Sequence, residues 1–160
     1  MNTAATTDVR SHTDRRKARV AALQVLYEID GARHDPGRVF ESRSNESGLS
    51  RPSEEYARRL VEGFLENREE IDSTISTYAP TWPIRQIAMV DRNLLRLAVF
   101  EIVKDAETPP KVAINEAVEM AKIYGADNSP RFVNGVLGSI LEAINSTEQQ
   151  TSRRQTNGDS

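Results

Sequence analysis

The chain has 160 residues, a hydrophobic fraction of 38% and a net charge of -3, which indicate one domain or two small helical halves that share a core. It contains no cysteine, which excludes disulfides, a thiol nucleophile and thiolate metal sites, and fits a reducing cytoplasm. No apolar run approaches the roughly 20 residues that span a bilayer, and residues 1–14 lack the apolar stretch of a secretory signal. We therefore expect a cytoplasmic protein without a membrane segment.

Charge is distributed unevenly along the chain. Residues 10–19 carry Arg10, Arg15, Arg16, Lys17 and Arg19 against Asp14 alone, so this stretch is basic while the remainder is acidic. A basic N-terminal arm on an acidic body is typical of a protein that binds nucleic acid at one end.

Apolar residues at helical spacing predict an all-α chain of about seven helices, with no strand, in a single domain over 13–145. Residues 1–12 and 146–160 lack this periodicity and are predicted to be disordered tails. The predicted elements are a first helix from about Thr13 to Arg33, helices capped by Ser53 and Asn67, a buried central helix from Ile84 to about Asp105, and a helical hairpin that begins at Lys111.

The turn of that hairpin has the most specific local signals in the chain. Gly125 is expected to close the first helix in a left-handed conformation, and Ser129 to cap the second. Asn128, Arg131 and Phe132 then lie together at a helix N-terminus, which suits a phosphate and a stacked nucleobase. The residue types alone favour the plainer alternative, a well-capped hairpin with Phe132 in the core.

Two glycines lie inside the second helix of the hairpin, Gly135 and Gly138. Each costs about 1 kcal/mol relative to alanine in a helix interior. Their presence predicts that a neighbouring helix approaches closely at that face.

Catalytic signatures are absent from the sequence. The two histidines, His12 and His34, lie in the predicted tail and at a helix end, and there is no glycine-rich phosphate loop, metal-binding histidine pair or nucleophile elbow. Asn115, Glu116 and Glu119 are expected to form a solvated or lightly buried helix face rather than a carboxylate site. We therefore predict no enzymatic activity, no cofactor and no metal.

Three motifs occur in order along the chain. They are Arg-Arg-Lys-Ala-Arg-x-x-Ala-Leu-Gln-x-Leu-Tyr (15–27), Val-Asp-Arg-x-Leu-Leu-Arg-Leu-Ala (90–98), and Lys-Val-Ala-Ile-Asn-Glu-Ala (111–117) followed by Phe-Val-Asn-Gly-Val-Leu (132–137). With these motifs the chain resembles the NusB family of bacterial transcription antitermination factors, over about Arg15 to Ile144.

The resemblance implies a compact bundle of two three-helix halves with a basic N-terminal arm. It also implies binding of boxA RNA from ribosomal RNA operons, together with the small-subunit ribosomal protein NusE, to help assemble an antitermination complex on RNA polymerase. The implied RNA-binding residues are Arg15, Arg16, Lys17, Arg19, Lys122, Tyr124, Asn128, Ser129, Arg131 and Phe132. The implied NusE-binding residues are Tyr27, Asp91 and Arg92.

This chain departs from the family pattern at Asn128, where many members carry an acidic residue. Two other functions remain open from the sequence. One is a helical protein-interaction module, such as a homodimer, that does not bind RNA. The other is a relative of the NusB-like domain found ahead of ribosomal RNA cytosine methyltransferases, but no segment predicts the α/β domain that methyl transfer would need.

Overall fold

The computed structural model describes residues 3–32, 38–39, 41, 48–79, 81–105 and 107–158. Within these ranges the structure is helical and has no strand, which confirms the predicted all-α class. No helix there is both long and apolar enough to cross a membrane. The elements are α1 (Thr3–Ala32), α2 (Arg51–Glu66), α3 (Arg68–Tyr78), a 3-10 helix (Ile84–Gln86), α4 (Met89–Val103), α5 (Pro110–Tyr124) and α6 (Ser129–Asn157).

Helix α4 is the centre of the bundle. Every residue from 93 to 101 is buried, and α4 packs against α1, α2, α3, α5 and α6. On one side α1 packs against α2, and on the other α5 packs against α6. The two three-helix groups, α1–α3 and α4–α6, therefore share one continuous hydrophobic core.

The central helix begins later than the sequence suggests, at Met89 instead of Ile84. Residues Ile84–Gln86 form one 3-10 turn, and Ile87 is extended with φ -69° and ψ 133°. The Arg92 Nη1 atom donates to the carbonyl oxygens of Ile84, Arg85 and Ile87 at 3.1, 3.2 and 3.3 Å. These bonds satisfy backbone acceptors that a continuous helix would have used, so they stabilise the break.

Both terminal segments depart from the prediction of disorder. Helix α1 begins at Thr3, and α6 continues to Asn157 although every side chain described after residue 144 is exposed. Apolar periodicity marks only the packed part of a helix, so it stops where the core stops. Beyond that point the helix continues through Glu, Gln and Arg, which have good intrinsic helix propensity.

Helix α2 is capped by Ser50 and not by Ser53 as predicted. The Ser50 Oγ atom accepts a hydrogen bond from the Ser53 backbone N–H at 3.3 Å. Ser53 is buried, and its hydroxyl donates to the carbonyl oxygen of Asp14 at 3.0 Å, so it links α2 to α1. Asn67 is the N-cap residue of α3, but its side chain makes no hydrogen bond to that helix. Its amide nitrogen instead donates to the carbonyl of Gly63 at 2.8 Å.

The closest helix approach through a glycine occurs at Gly63, not at the two glycines of α6. A Cβ atom at Gly63 would overlap the buried ring of Phe100 on α4. At Gly135 and Gly138 no heavy atom would lie within 4 Å of an added Cβ, so the predicted close approach there is wrong. Both α6 glycines are exposed.

We expect Gly63→Ala to lower the free energy of unfolding by about 2 kcal/mol, because overpacking of a filled core costs roughly 1–3 kcal/mol. Gly135→Ala is the matched control, since the same methyl meets open space in a helix and should stabilise by up to about 1 kcal/mol. Chemical denaturation of both variants measures the difference. Equal stabilities would contradict the close approach of α2 and α4.

Candidate nucleic-acid interface

The basic stretch of α1 places its cations on opposite sides of the helix. We call residues 12–19 the arm. Arg19 points inward and is 3% exposed; its Nε donates to Glu101 Oε1 at 2.8 Å and its Nη2 to Glu101 Oε2 at 2.9 Å. Burial by itself lowers the pKa of Arg19, but the hydrogen bond and charge of Glu101 outweigh it and the net pKa is raised. Arg19 therefore stays charged and links α1 to α4 in the interior of the protein.

Tyr56 of α2 completes this cluster. Its hydroxyl donates to Glu101 Oε2 at 2.9 Å and lies 3.1 Å from Thr108 Oγ1. The guanidinium groups of Arg15 and Arg19 lie 5.2 and 5.7 Å from the centroid of its ring. Burial and the neighbouring Glu101 carboxylate raise the pKa of Tyr56 to about 12. The cluster thereby joins α1, α2 and α4 through satisfied polar groups.

The other two arginines of the arm are also matched with carboxylates. Arg16 Nε donates to both Glu116 oxygens, at 3.2 and 3.1 Å, and an Arg15 Nη2 atom lies 4.0 Å from Glu107. Glu116 is only 5% exposed and lies beneath the arm, so our expectation of a solvated or lightly buried face fails at this residue. The side chain of Arg16 is 56% exposed and that of Arg15 is 34% exposed.

Lys17 differs from these arginines, since it is exposed and forms no hydrogen bond or ion pair with the described part of the chain. Of the four arm residues predicted to bind RNA, Arg15, Arg16 and Lys17 are accessible. The predicted RNA contact of Arg19 requires correction, because its buried guanidinium is paired at two atoms with Glu101 and is not available to a phosphate.

The hairpin turn comprises residues 125–129, between α5 and α6. Gly125 has φ -92° and ψ -172°, an extended conformation, so the predicted left-handed cap is wrong. A Cβ there would lie 2.5 Å from Ser129 Cβ, 2.6 Å from Ser129 Oγ and 2.8 Å from the Ala121 carbonyl oxygen. Glycine is required by this close packing and not by its backbone angles.

Ser129 is the first residue of α6, not its N-cap, and it is 1% exposed. Its Oγ accepts a hydrogen bond from the Ala126 N–H at 2.9 Å and so holds the turn closed. Asn128 occupies the capping position without a side-chain hydrogen bond to the helix. Ser129 is consequently a structural residue of the turn and is removed from the predicted RNA contacts.

Polar and aromatic groups surround the turn at the surface. Asn128 and Arg131 are exposed, and Arg131 has no hydrogen-bond or ion-pair partner among the residues described. Tyr124 is 43% exposed, whereas Phe132 is half-buried and packs against the core. Lys122 is exposed and its Nζ donates to Glu119 at 2.8 Å. Tyr124 is therefore better placed than Phe132 to stack on a base.

A groove of about 560 Å³ separates α1 from the C-terminal end of α5. Its lining includes Tyr27, which is 45% exposed, Tyr124, and Val90 of α4. Its remaining lining residues are Val20, Leu23, Gln24, Glu28 and Gly31.

The other two predicted NusE contacts are less accessible than Tyr27. Asp91 is 7% exposed, and its Oδ1 atom has no hydrogen-bond partner. Arg92 is directed into a different cleft, where its Nη2 donates to Asp30 at 2.6 Å. Arg92 is thus held by internal partners at Nε, Nη1 and Nη2, which gives it a structural role, and its contact with NusE stays a prediction.

Known proteins resemble this chain over most of its length. A model of the NusB family matches residues 16–142. The chain belongs to the NusB family. It is 47% identical over 135 residues to the transcription antitermination protein NusB of Chloroflexus aggregans, covering 83% of this chain and 90% of the relative.

Two solved structures share the fold. T. maritima NusB is 38% identical with a TM-score of 0.76, over 80% of this chain and 90% of that one. A chain from the crystal structure of the antitermination factors NusB and NusE with double-stranded RNA is 33% identical with a TM-score of 0.76. That match covers 82% of this chain and 98% of the other.

The sequence did not predict several residues that position the arm in this NusB-family chain. Glu101 and Tyr56 hold Arg19, and Glu116 holds Arg16, across separations that no local pattern reveals. A second ion-pair network, around Arg92 and Arg96, could have been predicted in part from the sequence, because these arginines are four residues apart and share a face of α4. Arg96 pairs with Asp72 at 2.8 and 2.9 Å.

We expect Arg19→Ala to lower the free energy of unfolding by about 3 kcal/mol, since removing one partner of a buried pair leaves the carboxylate of Glu101 uncompensated. Lys17→Ala, two residues away on the exposed side, should change it by less than about 0.5 kcal/mol. Urea denaturation followed by circular dichroism measures both. A stable Arg19→Ala variant would show that the buried pair is dispensable.

Proposed function

We propose that this chain is a transcription antitermination factor that binds boxA RNA together with NusE and helps assemble an antitermination complex on RNA polymerase. We further propose that it acts in the cytoplasm and has no enzymatic activity. Membership of the NusB family supports this function, as does the similarity to a chain whose structure contains NusE and double-stranded RNA.

The observation that carries the RNA-binding proposal is the exposed group of Tyr124, Asn128 and Arg131 around one turn. A tyrosine ring can stack on any base, an amide both donates to and accepts from base edges, and an unpaired guanidinium can bind a phosphate. The arm adds Arg16 and Lys17 on the exposed side of α1. Arm contacts supply affinity without sequence preference, so sequence discrimination falls to the turn.

The groove beside Tyr27 is the surface we assign to NusE. Its two exposed tyrosines suit a protein interface, where aromatic side chains supply much of the binding energy. Asp91 follows Val90, which lines this groove, and its buried Oδ1 atom is an acceptor without a hydrogen-bond partner among the described residues. Because Tyr124 borders both the groove and the turn, the two proposed partners would be neighbours on this chain.

An RNA gel shift with boxA RNA, with NusE titrated in, tests the proposal. Binding should be sequence-selective and tighter with NusE. Lys17→Ala and Arg131→Ala should each weaken binding and reduce the salt slope by about 0.7, the value for one phosphate on a single strand.

Arg68→Ala is the matched control, since Arg68 is an exposed arginine on α3, outside the arm and the turn, and its removal should leave affinity unchanged. Absence of any RNA shift, with or without NusE, would instead favour the protein-interaction alternative. Size-exclusion chromatography of the free protein then measures self-association.

Asn128 offers a sharper test of the turn. Asn128→Asp should weaken RNA binding, most strongly at low salt, because it places a carboxylate beside phosphates that are now met by a neutral amide. Asn128→Ala removes the amide without adding charge and separates the two contributions. If Asn128→Asp bound boxA RNA as tightly as the unmodified chain across a salt series, Asn128 would not face the RNA backbone.

A further inference from the structure

The arm is far less basic in the folded chain than its sequence indicates. Arg19 is neutralised by Glu101, and Arg15 lies near Glu107, which also pairs with Arg59 at 3.1 Å. Arg16 is paired with Glu116. Lys17 therefore remains as the accessible cation of residues 12–19 without a carboxylate partner in the described ranges.

Glu116 is the most enclosed of the carboxylates that face the accessible arm residues. Its side chain is 7% exposed, yet three cationic or ionisable groups of α1 surround it. Arg16 Nε lies 3.1 Å from Oε2, Arg19 Nη1 lies 3.9 Å from Oε2, and His12 Nε2 lies 3.7 Å from Oε1. Glu101 already satisfies Arg19, so the charge of Glu116 acts mainly on Arg16.

We propose that Glu116 sets the affinity of the arm for RNA phosphates by compensating the charge of Arg16. This inference rests on the proposed RNA-binding function and assigns a restraining role to a residue outside the RNA contacts. A phosphate that approaches Arg16 also meets the negative charge held directly behind it. The low solvent exposure of Glu116 makes that charge difficult for salt to screen.

The charge of Glu116 can be removed without removing the hydrogen bond that positions Arg16. Glu116 meets Arg16 through Nε, and neither Nη atom of Arg16 has a hydrogen bond within the described chain. In Glu116→Gln the side-chain oxygen can still accept from Nε, so the guanidinium keeps a partner while the opposing charge disappears. If Glu116 served instead to orient Arg16 for RNA, loss of the strong ionic contact would weaken binding.

The experiment compares Glu116→Gln with the full unmodified chain, using boxA RNA and an unrelated single-stranded RNA of equal length over a series of salt concentrations. One additional effective phosphate contact raises the salt slope by about 0.7, which corresponds to about fourfold tighter binding near 0.15 M salt. The same factor is expected for both RNAs, because a phosphate contact carries no sequence information.

Three further variants make the test specific. Glu116→Asp retains the charge and should restore affinity to within about twofold of the unmodified chain. Glu62→Gln removes an equal charge from an exposed pair with Arg58 on α2 and should have no effect. In an Arg16→Gln background, Glu116→Gln should no longer tighten binding, since the effect passes through Arg16.

Unchanged or weaker RNA binding by folded Glu116→Gln would overturn the inference, as would a gain confined to boxA RNA. Circular dichroism and thermal denaturation establish that the variant is folded. Failure of the proposed function is a separate result, because it would appear as absence of boxA binding by the unmodified chain with NusE present.

Discussion

The buried ion pair between Arg19 and Glu101 connects the two halves of the molecule. The two residues are 82 positions apart, and both are less than 4% exposed. Two charges removed from water are tolerable only when their remaining hydrogen-bonding capacity is satisfied, and the Tyr56 hydroxyl provides part of that satisfaction. The pair also fixes the rotation of α1. With about 100° between successive residues, an inward Arg19 places Lys17 on the opposite side, facing solvent.

The hairpin turn is also held together by closely packed buried groups. Ser129 is buried against Gly125, and its hydroxyl satisfies the N–H of Ala126, so the backbone of the turn is held by one small side chain. A turn that is already closed by an internal hydrogen bond has less conformational freedom to lose on binding a partner. Tyr124, Asn128 and Arg131 are therefore presented by a scaffold that is already formed.

Apolar periodicity predicted the existence of α2 and α4, because the residues that pack against the core recur at helical spacing, whereas their first residues were predicted wrongly. The start of α1 and the exposed end of α6 carry no such periodicity, so the sequence did not predict that these segments are helical. The sequence indicated a glycine at position 125 for a left-handed conformation, whereas the structure requires it for close packing against Ser129. Such packing cannot be predicted from one segment. For the same reason the carboxylate partners of Arg16 and Arg19 could not be predicted from local sequence.

Helix α5 meets α1 at two places along its length: Glu116 binds Arg16, and Tyr124 lines the same groove as Tyr27. Eight residues of α5 separate Glu116 from Tyr124, a rise of about 12 Å at about 1.5 Å per residue. An RNA strand that made both proposed contacts, at Arg16 and at Tyr124, would span this length with three to four stacked nucleotides at about 3.4 Å each. Helix α5 thus fixes the distance between Glu116, which binds Arg16, and the start of the turn. Its spacing would survive changes in loop length and would alter only with a residue added or removed inside the helix.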